Sequence, residues 1–170
     1  MATVNPTLIA TVVVGSGGAS SIDFTSIPQT YTDLKLIASI RTTRTGLTQD
    51  AVAISINGSG ASMSARLLQA DGSSPSSNTQ GSYFGYVDTS SNTANTFGNL
   101  ELYFPNYTST TIYKSWSAQT TEENNSTQTY MSIAAGLNSS NSAITSLSIS
   151  GSGGTYVQYS TAYLYGIKNS

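Results

Sequence analysis

Residues 156–168 read YVQYSTAYLYGIK. In an extended chain Tyr159, Thr161, Tyr163 and Tyr165 fall on one side, and Ser160, Ala162, Leu164 and Gly166 on the other. Such period-two alternation, rich in aromatic and β-branched residues, reads as a strand whose two faces meet different surroundings. Gly153 and Gly154 form a flexible approach to it. An open edge here would invite association, so this strand is expected to be paired inside a sheet.

The same period recurs upstream. Residues 33–41 (DLKLIASIR) set Leu34, Leu36, Ala38 and Ile40 inward against Lys35, Ile37, Ser39 and Arg41 outward. Residues 51–56 (AVAISI) put Val52, Ile54 and Ile56 on one face, and Asn57-Gly58 then signals a turn. Residues 8–14, 22–24, 83–87 and 144–149 read as further strands. So does 63–70 (MSARLLQA), too short for a stable helix. Residues 73–80 and 88–97 read as polar loops. A hairpin is expected between 99–104 and 110–118 about a turn at 105–109, which sets Glu101 opposite Lys114 and Tyr103 opposite Ile112. A second turn at 122–125 returns into 129–134 and brings Trp116 near Met131. Eight to ten short strands without a long helix or a fixed-period repeat predict an all-β fold, a two-sheet antiparallel β-sandwich. We expect an N-terminal arm over residues 1–6 and a single domain over 7–170.

Composition narrows the possible roles. Of 170 residues only 8% are charged and the net charge is −2, while Ser and Thr make up roughly a third. Disorder normally comes with high net charge and few aromatics, yet this chain carries eleven tyrosines. The six basic residues, Lys35, Arg41, Arg44, Arg66, Lys114 and Lys168, form no stripe for phosphates, so nucleic acid is not an expected partner. No run is long enough to span a membrane as a helix, and residues 8–14 lack the flanks of a signal peptide. Cysteine and histidine are both absent. Their absence removes thiolate metal sites, the commonest general base and the usual pH switch, and it suits a reducing cytoplasm during assembly.

The remaining chemistry is thin, and an enzyme is not expected. Paired carboxylates for glycoside cleavage have two candidates, Asp23 with Asp33 and Glu122 with Glu123. The adjacent glutamates would point to opposite sides of an extended chain, and aspartates at strand ends commonly serve turns. A metal could take only oxygen ligands, but no calcium-loop motif is present, and Asp71 and Asp88 stand as lone acids. No cofactor is expected. The glycine-rich segments 15–18 and 151–154 open no helix and read as turns. Asn-x-Ser/Thr triplets at Asn57, Asn106, Asn124, Asn125 and Asn138 follow from composition alone. Tyrosine says more: broad aromatic contact among small polar residues is how recognition surfaces are built. Tyr159, Tyr163 and Tyr165 are therefore candidates for contact with another subunit or a ligand, with burial in the core as the competing role. Trp116 is expected in the core.

Residues 160–167 (STAYLYGI) resemble the C-terminal signature, roughly ST-A-x-LYGI, of small β-sandwich virion structural proteins of tailed bacteriophages. Three further pieces agree in family order: 24–34 (FTSIPQTYTDL), 105–107 through 113–114 (PNY…YK) and 143–147 (AITSL). The resemblance implies a place in a phage particle, without saying which, and a jelly-roll type of sandwich; the polar, nearly uncharged composition suits the virion surface. A capsid decoration, or cement, protein that stabilises the mature head is the expected role. Its partners would be the major capsid protein and copies of itself, a homotrimer being favoured, docked where capsomers meet. The alternative is a receptor- or glycan-binding head of a tail or head fibre, with a host surface glycan as ligand.

Overall fold

The computed structural model describes residues 5–125 and 129–169. Of the arm expected over residues 1–6, the first four lie outside them. The described residues form twelve strands and no helix: β1 Thr7–Val13, β2 Ile22–Phe24, β3 Asp33–Ile40, β4 Gln49–Ile56, β5 Met63–Ala70, β6 Pro75–Gln80, β7 Tyr83–Asp88, β8 Gly98–Phe104, β9 Lys114–Glu122, β10 Tyr130–Asn138, β11 Leu147–Gly151 and β12 Thr161–Ile167. They build two antiparallel sheets. One has eight strands in the order β1-β12-β3-β8-β9-β10-β5-β6, the other four in the order β2-β11-β4-β7.

Four pairings are nested in sequence: β1 with β12, β2 with β11, β3 with β8, and β4 with β7. It is as though one long hairpin had been wound so that successive segments alternate between the sheets. Two hairpins, β5–β6 and β9–β10, interrupt this ribbon and widen the larger sheet beyond β8. The core lies between the layers, where alternate residues point inward: Leu34, Leu36, Ala38 and Ile40 from β3, Leu100 and Leu102 from β8, Val52 and Ile54 from β4. Trp116 is buried, with Phe84 of the facing sheet set edge-on at 6.3 Å between ring centroids.

The alternation of β3, β4 and β12 is as the sequence reads, and β12 is paired on both sides, by β1 and β3. Three expectations are corrected. Residues 75–80 form β6 where a loop was expected: PSSNTQ has no apolar alternation, and only its backbone pairing with β5 makes it a strand. The β8–β9 register differs as well, Glu101 facing Gln119 and Tyr103 facing Ser117. The connection is longer than a tight turn because Tyr107 buries its ring in the core and donates its hydroxyl to the Pro28 carbonyl. Lys114 also turns inward, to the Ile112 and Asn141 carbonyls at 2.8 and 3.3 Å. Glu101 pairs instead with Lys35 on β3, at 2.9 Å. Trp116 consequently faces Gly136, while Met131 faces Thr121.

Candidate functional site: the outer face of the larger sheet

Inward residues alternate with a second set that forms one face across all eight strands. Register gives its rows. One runs Thr11, Tyr163, Ile37, Glu101, Gln119, Ile133, Leu68, Ser77; the next runs Leu8, Tyr165, Lys35, Tyr103, Ser117, Ala135, Arg66, Thr79. Seven gaps of about 4.8 Å make the face about 34 Å wide. Strands of about seven residues make it about 23 Å tall, hence roughly 800 Å² in area. The four-stranded sheet covers the opposite side of these strands, and nothing in the described chain covers this one.

The face is sparsely charged and unusually apolar. Leu8, Val13, Leu68, Met131 and Ile133 are each about half exposed, although large aliphatic side chains normally go inside. Of its solvent-accessible charged side chains, Lys35 and Glu101 neutralise each other, leaving Arg66. Where β5, β10, β9 and β8 curve there is a groove of about 520 Å³. Leu68, Ile133 and Ala135 line it together with Arg66, Glu101, Gln119 and Tyr103. The Tyr103 hydroxyl donates to Asp33 Oδ2 at 2.6 Å, a bond that raises its pKa to about 12 and keeps it protonated.

Tyr163 and Tyr165 lie on this face, half-buried among their neighbours, and are not part of the core. Tyr159 stands apart. It precedes β12, its φ of 73° breaks the alternation, and its side chain is 70% exposed.

The carboxylate candidates are not assembled as either pair. Asp23 is exposed on β2 in the smaller sheet, whereas Asp33 is buried on β3 in the larger. Asp33 is held by Tyr103, by the Asn106 amide at 2.9 Å and by Asn169 at 2.7 Å. Glu122 and Glu123 do point apart, the first buried and the second exposed. Asp71 caps its own turn, accepting the Ser73 and Ser74 amides, which hold its carboxyl down at about 2.

Asp88 is not a lone acid. Asn92 Nδ2 donates to Asp88 Oδ1 at 2.6 Å and to Glu122 Oε1 at 3.2 Å, and Asn124 Nδ2 donates to the same Glu122 oxygen at 3.0 Å. Both carboxylates are fully buried, so no polymeric substrate reaches between them. Arg41 is buried as well, where the alternation of β3 had placed it outward. Its guanidinium donates to the Asn92, Thr93 and Thr96 carbonyls at 3.1, 2.8 and 2.9 Å. No motif signals this cluster, whose acids are 34 positions apart on different sheets. No family model matches the chain, and no curated protein or solved structure is significantly similar to it.

Proposed function

We propose that this chain is a non-enzymatic structural protein of a phage particle, a decoration or cement protein attached to the mature head. The observation that carries the reading is the outer face of the larger sheet. Its roughly 800 Å² equal one partner's share of a standard stable interface. Patches of exposed aliphatic side chains mark contact surfaces, and this face carries two, Leu68, Met131 and Ile133 at one end and Leu8 and Val13 at the other. Thr161–Ile167 of the STAYLYGI stretch form β12, which contributes Tyr163 and Tyr165 to the same face. We read the nested pairing as a jelly roll carrying two inserted hairpins. The protein would lie across neighbouring capsid subunits as a trimer at their junctions, where each copy adds buried area that head expansion must break.

Co-sedimentation with expanded and unexpanded heads tests this. The protein should attach stoichiometrically to expanded heads only, and Ile133→Glu should weaken attachment at least about 100-fold while leaving the melting temperature within a few degrees. Equal binding to both heads, or an indifferent Ile133→Glu variant, would overturn it.

The groove favours a second reading, a glycan-binding head of a fibre. Polar groups from Arg66, Glu101 and Gln119 over an apolar floor, at about 520 Å³, match the make-up of a ligand site. Sugar-dependent binding on a glycan array, lost in Gln119→Ala, would establish that reading in place of the first.

A further inference from the structure

Four of the buried side-chain oxygens without a hydrogen-bond partner belong to one cluster: Asp88 Oδ2, Asn92 Oδ1, Glu122 Oε2 and Asn124 Oδ1. Asp88 ends β7 in the smaller sheet and Glu122 ends β9 in the larger, so the cluster joins the two layers. The charged and titratable groups facing it are Arg41, just beyond β3, and Glu123, next to Glu122 and exposed. Other buried carboxylates in this chain are differently served. Asp50 also keeps one unpartnered oxygen, Oδ2, but its charge is met by Arg44 at 2.9 Å, and Asp33 accepts three donors.

Charge counting decides what the cluster needs. A buried group of charges is stable only when it is close to neutral. Asp88 and Glu122 ionised beside Arg41 leave one negative charge over. A divalent cation would overshoot to one positive charge. The loop carbonyls of Asn92, Thr93 and Thr96 are not free to ligate such an ion, because they already surround the Arg41 guanidinium. One proton balances the count. We infer that the Asp88–Glu122 pair holds a single buried proton, which clamps the 89–97 loop and the end of β7 to the end of β9.

The two unpartnered carboxylate oxygens, Asp88 Oδ2 and Glu122 Oε2, are the positions such a proton can occupy without displacing a hydrogen bond. Burial, followed by the charge of Asp88, lifts Glu122 from 4.5 to about 8, and burial raises Asp88 in the same direction. A carboxyl whose pKa is higher in the folded chain contributes stability that is full below its unfolded value and is lost as pH rises through the folded one. The window for Glu122 is therefore 4.5 to about 8.

The test is thermal and denaturant unfolding of the full chain across pH 4.5–9, beside infrared spectra at pH 7. In the wild type the folding equilibrium constant should fall by up to about tenfold per pH unit across that window. In Glu122→Gln, a neutral isostere, the slope should flatten, the difference between the two curves removing every other titrating group. The wild-type spectrum at pH 7 should carry a protonated carboxyl band that Glu122→Gln lacks. A spectrum without that band, a slope unchanged by the substitution, or a melting temperature raised by calcium at pH 7 in the wild type alone would overturn the buried proton. The wild-type spectrum decides the matter even if the variant fails to fold.

Discussion

Gly136 faces Trp116 across β10 and β9, and a Cβ built on it would lie 2.0 Å from the indole ring. The ring occupies the place a side chain would take, and Ala118 and Ala134 beside it are small and buried too. Phe84 and Phe104 close its other sides, with ring centroids 6.3 and 6.5 Å away. A residue inserted there has no soft neighbour to displace. Overpacking of a filled core costs about 1–3 kcal/mol, and this contact belongs at the upper end. Gly136→Ala should lower the melting temperature by about 6–12 °C, as expected for about 3 kcal/mol in a chain of this size. Trp116 is the only tryptophan, so its emission reports the site directly and should shift to the red. Ala135→Ser, on the outer face, is the control and should change neither. A Gly136→Ala protein that melts within 2 °C of the wild type would mean that the indole has another place to go.

At the scale of the element, β6 is the weakest piece of the larger sheet. It pairs only with β5, and five of its six residues are exposed. Hydrogen bonds without burial add little stability, so local opening of such a strand is cheap. In dilute solution the β6 amides should exchange with deuterium at least about 100-fold faster than those of β3 and β12, measured by mass spectrometry or NMR; equal protection would sink the claim. Strand by strand, this is also where the sequence stops being legible. Alternation in β3, β4 and β12 states both the strand and its inward face, because burial on one side alone selects apolar residues at every second position. PSSNTQ buries nothing, so composition has nothing to select. The β8–β9 register was hidden for another reason: a tyrosine in the connecting loop, Tyr107, anchors in the core, and local turn chemistry does not reveal a distant anchor. Tyr163 and Tyr165 could be placed on a face by counting, whereas Asp88 and Glu122 meet only after two sheets have packed.

For the whole molecule the decisive quantity is how little charge reaches the surface. Six of the fourteen charged residues are buried: Asp33, Arg41, Asp50, Asp88, Lys114 and Glu122. Of the rest, Lys35 is paired with Glu101, and Arg44 with buried Asp50. The long-range field is consequently weak, and screening has little to act on. Association through the outer face, with a capsid or with another copy, should proceed without steering, at about 10⁵–10⁶ M⁻¹s⁻¹. Its Kd should change by less than about threefold between 50 and 500 mM sodium chloride, where a steered complex would lose far more. Ammonium sulfate should tighten binding, because excluded salts favour burial of apolar surface such as Leu68 and Ile133. Surface-immobilised binding measured in both salts checks the pair of expectations together. Affinity that collapses in sodium chloride and is not restored by sulfate would instead put the binding energy in Arg66 and the few free charges around it, and the aliphatic face would lose its claim to be the contact surface.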